Sequence, residues 1–379
     1  MISVISLGII TSLFKGYGDD LDSHGLILSF ISIYEKGVYS PSRFQGAPVA
    51  EILYGYLGYN YGSFPGSFLS YIFFIASIIL ILKIFLKEKY FKEYVLLFIF
   101  ICISNPVLFL DNTNPSDFPL SLFLFSVGFY FFRNNYKLLA ITFFTLLIGT
   151  RIEFTLYLLF IFIYEFYYNK KKSKEIINIF IFSFVLGSLF YIPILLKNDF
   201  SLSFITSNSS SMNFIPRIVR FVYKSYLSFG VFSSLLILVF FLRNIKNIKN
   251  IFLKNKDLMG LILLISFVFI YMPTKTSIFS LAIILSYVIL FKTIDKKMYI
   301  YILIFLNLLY YLISYQVLEI RYKNSGNCDP IIAVDGKFVF NIDKGYLAKR
   351  NKFMKNQIEC ASYQFGSKSQ KYIEGKKMK

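Results

Sequence analysis

The sequence predicts an all-α polytopic membrane protein with about eleven transmembrane helices, the N-terminus inside and the C-terminus outside. Of its 379 residues, 56% are hydrophobic and only 16% are charged, whereas a soluble domain carries about 25% charged residues. Apolar runs of the length that a helix needs to cross a bilayer recur along nearly the whole chain. Basic residues gather in alternate loops between these runs, which is typical of a membrane protein with a fixed orientation.

The first predicted helix covers residues 1–14, which lack the basic start and the small-residue cleavage site of a signal peptide. A long first outer loop, residues 15–66, follows it. The remaining apolar runs lie near residues 67–86, 94–110, 118–132, 138–149, 152–168, 176–196, 227–242, 258–273, 277–291 and 299–318. Because the runs 138–149 and 152–168 are short, one broken helix is the alternative to two crossings there.

The distribution of basic residues favours two crossings in that pair. With the N-terminus inside, the cytoplasmic loops contain Lys170–Lys172 and the repeat Asn244–Lys249. The short outer loops 111–117, 150–151 and 273–277 hold only one or two basic residues between them. Merging the short pair into one crossing would invert every later loop and place the three lysines outside, against the positive-inside rule.

Two polar–apolar segments predict helices that lie along the membrane surface rather than across it. The first is Leu26–Tyr34 in the first outer loop. The second is Ile215–Tyr226, which carries Arg217, Arg220 and Lys224. We expect the second segment to cover a binding groove.

The chain therefore divides into a membrane domain, residues 1–318, and a small extracytoplasmic tail, residues 319–379. The tail is basic, but long segments are translocated largely regardless of their charge. Within it, Ile331–Val334 and Phe338–Asn341 flank Asp335-Gly336, a pattern that predicts a β-hairpin.

The formal net charge of +19 would suggest nucleic-acid binding in a soluble protein, but here the basic loops account for it and we expect no nucleic acid.

Cys102 lies in an apolar run, where it is expected to be inert. Cys328 and Cys360 both lie in the tail, which suggests an oxidising compartment but leaves their pairing open. A single histidine, His24, cannot form a zinc site of the usual composition. Phosphate-binding loops, dinucleotide fingerprints and nucleophile elbows are absent from the sequence.

The first outer loop carries the most informative residues. It begins with three carboxylates within four positions, Asp19, Asp20 and Asp22, directly after a predicted helix, where charges are costly without a reason. The surface segment after them would hold Asp20 and Asp22 at the bilayer edge, facing the outer compartment. The alternative interpretation is a hydrated acidic loop in which Asp22 or Ser23 caps the following helix.

The segment Tyr39-Ser40-Pro41-Ser42-Arg43-Phe44-Gln45-Gly46-Ala47-Pro48 follows that acidic cluster and the surface segment. This order resembles the GT-C superfamily of membrane glycosyltransferases, which includes protein O-mannosyltransferases and the aminoarabinose transferases of lipid A. The resemblance covers mainly residues 1–170, with weaker support to about residue 290. It implies polyprenyl-phosphate-linked sugar donors and a catalytic aspartate in the first outer loop. Asp22 matches that position by its spacing from Gly37, with Asp20 as the close alternative, although Asp22-Ser23 replaces the usual Asp-Glu dipeptide.

The resemblance extends to later outer loops. Asp117 matches an acidic residue that superfamily members carry beside the site or on a metal; the alternative is an ordinary acid at a helix N-terminus. Arg151, Glu153 and Lys275 match positions near the carrier phosphate, which Arg and Lys suit electrostatically. The alternatives are a surface ion pair of Arg151 with Glu153 and a lysine that snorkels to the membrane surface. The remaining candidates for substrate binding are Asp19, His24, Arg43 and Glu51.

The resemblance implies an inverting glycosyltransferase of the cytoplasmic membrane whose active site faces the extracytoplasmic side. An aspartate would act as general base on an acceptor hydroxyl of a glycan, lipid or protein, and the requirement for a divalent metal is left open. Two alternatives remain: a transporter or flippase of lipid-linked sugars, and a polysaccharide polymerase or ligase. A transporter more often shows ionisable groups in mid-membrane and helix repeats, and a polymerase or ligase typically carries its chemistry in a late large loop.

Overall fold

In a computed structural model, the described part of the chain is almost entirely helical. The structure describes residues 2–15, 21–43, 45–86, 88–168, 173–197, 200, 214–243, 248–271, 276–293, 297–320 and 333–340. The α-helices in this part of the chain are α1 (Ile2–Lys15), α2 (Leu21–Lys36), α3 (Pro48–Tyr61), α4 (Ser63–Phe85), α5 (Glu88–Ser104), α6 (Pro106–Asn112), α7 (Asp117–Arg133), α8 (Lys137–Thr150), α9 (Phe154–Tyr168), α10 (Ser173–Ser188), α11 (Ile192–Lys197), α12 (Phe214–Phe229), α13 (Val231–Arg243), α14 (Ile248–Lys254), α15 (Lys256–Tyr271), α16 (Ser280–Thr293) and α17 (Lys297–Leu312). Short 3-10 helices cover Leu189–Tyr191 and Thr276–Phe279.

Several of these helices have the length and composition of membrane spans. Among the described residues, three qualify: Ser63–Phe85, Lys174–Lys197 and Thr276–Thr293. The number rises to five if each of two sharply bent helix pairs counts as one span. Many large apolar side chains on the outer faces are exposed, including Phe267 at 71% and Phe305 at 63%, as expected where helices meet lipid rather than water.

The helices pack pairwise around a core of buried aromatic and aliphatic side chains. Helix α7 lies against α4 and α8, α8 lies against α10, and α2 lies against α3. Phe74, Phe125 and Phe144 are fully buried in this core. A side chain at Gly128 of α7 would collide with the Phe144 ring, 2.7 Å away, so this glycine lets α7 and α8 approach closely.

The runs 138–149 and 152–168 form two separate helices, α8 and α9, interrupted at Arg151-Ile152-Glu153. Lys137 at the start of α8 lies 2.9 Å from Glu175 near the start of α10. The starts of α8 and α10 therefore lie at the same end of the molecule. Helix α9, which connects them along the chain, runs in the opposite direction to both.

Two helix pairs bend by nearly a right angle. The bend between α5 and α6 is 86° and the bend between α12 and α13 is 93°. Asn105, in the first break, donates from Nδ2 to the carbonyl oxygen of Ser228 at 2.9 Å. Asn307 accepts from Ser233 Oγ at 2.5 Å and donates to Ser104 Oγ at 3.2 Å. Both asparagines are fully buried, so they tie the two bends together and satisfy polar groups that the breaks expose.

The prediction of a hairpin turn at Asp335-Gly336 is wrong. Ala333–Phe340 forms one continuous strand, β2, which pairs antiparallel with β1, Ile313–Ile320. Asp335 pairs with Leu318 and Gly336 with Val317, so the dipeptide lies within a strand. Pairing with the strand that continues from α17 overrides the local turn preference of Asp-Gly. Cys328 and Cys360 lie outside the described residues.

Candidate functional site

A buried cluster of charged side chains joins three segments that the sequence predicts to be outer loops. Asp22 lies in the first turn of α2, Arg43 in the segment between α2 and α3, and Asp117 at the start of α7. Arg151 and Glu153 lie in the break between α8 and α9. Because α7 and α8 run antiparallel, the start of one meets the end of the other, and all five side chains converge at one end of the molecule.

Asp117 is the centre of the cluster. Its side chain is only 1% exposed, and Oδ2 accepts a hydrogen bond from Arg43 Nη2. Arg151 Nη1 lies 3.2 Å from the same oxygen. Two guanidinium groups thus share one buried carboxylate at a helix N-terminus, where the helix dipole also favours a negative charge.

Arg151 is held from three directions. Its Nη2 donates to Glu153 Oε1, its Nη1 faces Asp117, and its guanidinium lies over the Phe118 ring, 3.7 Å from the ring centre. The last contact has cation–π geometry. The side chain is 5% exposed, so it is fixed by ion pairs and an aromatic platform rather than by solvent.

Asp22 is the most accessible acid of the cluster. Its Oδ2 lies 3.7 Å from Arg43 Nη1, and its side chain is 27% exposed. The distance fits an ion pair, but it is too long for a direct hydrogen bond. Asp22 therefore lies beside the buried cations while it can still reach a molecule that approaches from outside.

The charges of the cluster stabilise one another. Burial alone lowers the pKa of Arg43, but Asp117 and Asp22 raise it, and the net effect places it above its ordinary value. The pKa of Arg151 is also raised overall, because Glu153 and Asp117 outweigh burial. Burial raises the pKa of Glu153, but Arg151 and Arg43 lower it further, to about 2. All three groups therefore stay ionised at neutral pH.

Some polar atoms of the cluster make no hydrogen bond in the described structure. Its three carboxylates and two guanidiniums leave a formal charge of −1. Asp117 Oδ1 and Arg43 Nε are buried without a hydrogen-bond partner in the described structure. Buried polar atoms are nearly always paired, so a bound molecule or ordered water is expected to meet them.

Glu51 organises the segment that carries Arg43. It is fully buried, and its Oε1 accepts from Ser42 Oγ at 2.6 Å and from the backbone amides of Ser42 and Ala47 at 2.8 and 3.1 Å. Oε2 accepts from the Tyr39 hydroxyl at 2.6 Å. One carboxylate thus fixes both flanks of Arg43.

The turn that carries Arg43 also needs a glycine. The amide of Gly46 donates to the carbonyl oxygen of Arg43 at 2.8 Å, and Gly46 has a φ of 66°, in the left-handed region. A Cβ at this position would lie 2.8 Å from the Tyr39 hydroxyl. The hydrogen-bonded clamp on Glu51 and this tight turn therefore depend on each other.

A small cavity of about 20 Å³ lies next to Arg151. It has room for about one water molecule. The polar residues along its wall are Asn112, Arg151, Glu153, Tyr157, Ser277 and Ser280. A sugar does not fit in this volume, so a sugar substrate would have to separate the surrounding segments.

The carboxylates of the cluster are not arranged as a metal site. No group of three or more His, Cys, Asp or Glu side chains that could hold a metal ion occurs among the described residues. Asp22, Asp117 and Glu153 each face an arginine instead. A metal would therefore compete with two guanidiniums for the same oxygens.

The structure brings together five of the ten residues proposed from the sequence: Asp22, Arg43, Asp117, Arg151 and Glu153. Glu51 acts on this cluster through the Arg43 segment. His24 lies in the first turns of α2 and is half-buried. The candidates Asp19, Asp20 and Lys275 lie outside the described residues.

Sequence reasoning did not select several residues that shape the site. Tyr39 and Ser42 belong to the segment that carries the GT-C resemblance, but only Arg43 and Glu51 were chosen from that region. Phe118 directly follows Asp117, and its place beneath Arg151 could not be read from the sequence. Ser277 and Ser280 carry no sequence signal that links them to the cavity.

Comparison of the chain with models of protein families, with curated proteins and with solved structures found no match.

Proposed function

We propose that this chain is an integral membrane glycosyltransferase that moves a sugar from a polyprenyl-phosphate donor to an acceptor hydroxyl on the outer face of the membrane. The observation that carries the proposal is the convergence of Asp22, Arg43, Asp117, Arg151 and Glu153 in one cluster. This set combines an accessible carboxylate with two buried cations, the two kinds of group that the reaction needs. The resemblance of the first outer loop to the GT-C superfamily supplies the substrate class.

Asp22 is the proposed general base. It would accept the proton of the acceptor hydroxyl as that oxygen forms a bond to the anomeric carbon of the sugar. The bond from the anomeric carbon to the phosphate oxygen would break at the same time, and its electron pair would leave with the polyprenyl phosphate. A single displacement of this kind inverts the anomeric centre.

The two arginines are the proposed groups that stabilise the leaving phosphate. Arg43 and Arg151 are already oriented by their ion pairs, so they would present positive charge to a developing negative charge once the surrounding segments separate. Arg43 Nε and Arg151 Nη1 are buried and make no hydrogen bond in the described structure, so they could bind phosphate oxygens, which arginine recognises well, after the surrounding segments separate. Asp117 would keep both guanidiniums oriented rather than accept a proton itself.

The proposed topology has about eleven crossings with the N-terminus in the cytoplasm, so that the cluster faces the extracytoplasmic side of the cytoplasmic membrane. The acceptor would be a glycan, lipid or protein hydroxyl. The isoprenoid tail of the donor would lie in the bilayer between helices.

Transfer by the purified protein from a polyprenyl-phosphate sugar tests this proposal. We expect Asp22→Asn to lower the transfer rate by about 100-fold or more, the range for loss of a general base. Glu35→Gln is the matched control, because Glu35 is an exposed acid at the opposite end of the same helix. Unchanged transfer by Asp22→Asn would mean that another residue is the general base. If the unaltered protein transfers sugar from no such donor, the proposal that it is a glycosyltransferase is refuted.

A flippase of lipid-linked sugars is the second candidate, because two broken helices that contact each other at their bends are also typical of transporters. A flippase would move the donor across proteoliposomes without consuming it. If movement occurs and Asp22→Asn leaves it unchanged, transport replaces transfer as the proposed function.

A further inference from the structure

Helix α12 has its polarity reversed relative to a surface helix of a soluble protein. Its exposed side is apolar: Phe214 is 70% exposed, Val222 58% and Val219 49%. Arg220, by contrast, is only 4% exposed. In water such a helix would bury the valines and expose the arginine.

The direction of α12 is fixed by its neighbours. Gly230 separates it from α13, and its φ of 84° is a left-handed conformation that permits the 93° bend. Helix α13, Val231–Arg243, is almost wholly apolar. Because the two helices meet at 93°, α12 lies close to the plane of the membrane if α13 runs along the bilayer normal.

The bend between α5 and α6 supports the same orientation. Asn105 of that bend bonds to Ser228 in the last turn of α12 at 2.9 Å. The two bends therefore lie at one level of the molecule, and at each of them the chain turns by nearly a right angle. Two helices turned at the same level are expected where a bundle meets a membrane surface.

The inner side of α12 is packed against protein. Phe221 contacts the rings of Phe269 and Phe279, with ring centres 5.8 and 6.3 Å apart. Arg217 lies over the Tyr271 ring at 5.5 Å. Among the described residues, the bundle thus occupies the inner side of α12, and the apolar side faces outwards.

We propose that the apolar side of α12, made by Phe214, Ile218, Val219 and Val222, docks into the boundary between headgroups and acyl chains of the bilayer. Helices with one apolar and one basic side bind at this depth, roughly 5–10 Å into the membrane. Arg217 and Arg220 lie on the other side of the helix, where they pack against the bundle instead of facing lipid. This inference rests on the membrane location of the chain and not on sugar transfer.

The position of α12 links the bilayer to the candidate site. Phe279, which contacts Phe221 of α12, belongs to the 3-10 helix Thr276–Phe279. Ser277 of the same short helix lines the cavity beside Arg151. Helix α12 therefore stands between lipid and one wall of that cavity.

The absence of tryptophan from the chain allows a direct test. Val222→Trp places a single fluorophore on the apolar side, and Phe221→Trp places one on the adjacent, inward position. Each full-length variant is reconstituted into phosphatidylcholine vesicles whose acyl chains carry bromine either near the headgroup or near the terminal methyl group. We expect bromine near the headgroup to quench Val222→Trp at least about twofold more than bromine near the methyl end, and Phe221→Trp to be quenched weakly by both.

Three results would overturn the proposal. Quenching of Val222→Trp by aqueous iodide but by neither lipid would place α12 in water. Stronger quenching from the methyl end would place it deep in the bilayer, as part of a span. Equal quenching of both variants would show that the apolar side is not selectively exposed to lipid. Phe214→Trp, an aromatic exchange at the most exposed position, repeats the measurement if Val222→Trp does not fold.

Discussion

Asp117 and Asp22 are paired with the same arginine, yet their environments differ. Asp117 is 1% exposed and faces both Arg43 and Arg151, whereas Asp22 is 27% exposed. Removing one partner of a buried ion pair leaves an uncompensated charge, which costs about 3–5 kcal/mol. A partly exposed pair contributes about 1 kcal/mol or less.

We therefore expect Asp117→Asn to destabilise the protein by several kcal/mol and Asp22→Asn by roughly 1 kcal/mol or less. The measurement is thermal unfolding of both variants and the unaltered protein in the same detergent. Equal stability of the two variants would contradict the assignment of Asp117 as the structural centre of the cluster.

The lowered pKa of Glu153 leads to an expected dependence of stability on pH. Its pKa is lowered from 4.5 to about 2 by Arg151 and Arg43, against the effect of burial. An acid whose pKa is lower in the folded state than in the unfolded state stabilises the fold. This stabilisation is fully present above the unfolded-state pKa and is lost as the pH falls through the folded-state pKa. The contribution, of the order of 3 kcal/mol, should therefore be intact at pH 5 or above and disappear as the pH falls from about 4.5 to about 2. Thermal unfolding across this range should show a smaller loss of stability in Glu153→Gln than in the unaltered protein.

Glu51 should act on the site through the Arg43 segment. In Glu51→Gln one oxygen becomes an amide nitrogen that cannot accept, so at least one of the four hydrogen bonds is lost. Each buried donor left unpaired costs about 1–3 kcal/mol. We expect Tyr39→Phe, which removes only the bond to Oε2, to destabilise the protein less. The check is thermal unfolding of both variants; a larger loss in Tyr39→Phe would contradict the central role of Glu51.

The sequence predicted the residues of the cluster better than their roles. Charge is costly near a membrane, which pointed to Asp22, and the resemblance to the GT-C superfamily pointed to Asp117, Arg151 and Glu153. That Glu51 is enclosed by four donors could not be read from the sequence. Those donors come from a turn whose shape depends on Gly46, and the sequence does not show which of them point inwards.

At the level of elements, the close packing of α2 and α3 determines where Asp22 lies. A Cβ at Gly55 of α3 would lie 2.9 Å from the carbonyl oxygen of Leu26 in α2 and would also collide with Phe30 Cβ. The carbonyl belongs to the backbone, so it cannot move aside as a flexible side chain would. Gly55 is therefore required for these helices to lie in contact.

We expect Gly55→Ala to push α2 away from α3, which destabilises the protein by about 1–3 kcal/mol and displaces Asp22 from Arg43. Ile52→Ala is the control, because Ile52 lies on the same helix and is 53% exposed. Thermal unfolding and sugar transfer measure the two consequences. Gly55→Ala with unchanged stability and transfer would refute the close-packing argument.

The apolar pattern of the sequence predicted where helices occur, but it did not predict the bends between them. Each predicted run overlaps a helix in the described residues, because helix length and apolarity are local properties. The right-angle bends depend on Asn105 and Asn307, which bond to residues more than 120 positions away along the chain. The strand Ala333–Phe340 was predicted as a hairpin because most of its partner β1, Ile313–Ile320, lay in the run 299–318, which was predicted to be a membrane helix.

At the scale of the whole molecule, the described ion pairs of α7 to α10 lie at two opposite ends. The cluster around Asp117 occupies one end. Arg133 with Glu165 at 2.7 Å and Lys137 with Glu175 at 2.9 Å occupy the ends of the same helices that point away from it. An apolar bundle with charge at both ends has the arrangement that a bilayer imposes, because charge is stable only in its aqueous boundaries.

The predicted orientation can be tested at these two ends. We expect Ser40→Cys, on the Arg43 segment, to react with a membrane-impermeant maleimide in intact cells, and Lys174→Cys to react only after the membrane is permeabilised. Both positions are exposed, and each variant is made after Cys102, Cys328 and Cys360 are replaced by Ser. Asn134→Cys is the matched control for Lys174→Cys, since the pair of Lys137 with Glu175 holds the two loops at one end. Labelling of Lys174→Cys in intact cells together with protection of Asn134→Cys would mean that α8 and α9 form one crossing, and the count of about eleven would then be wrong.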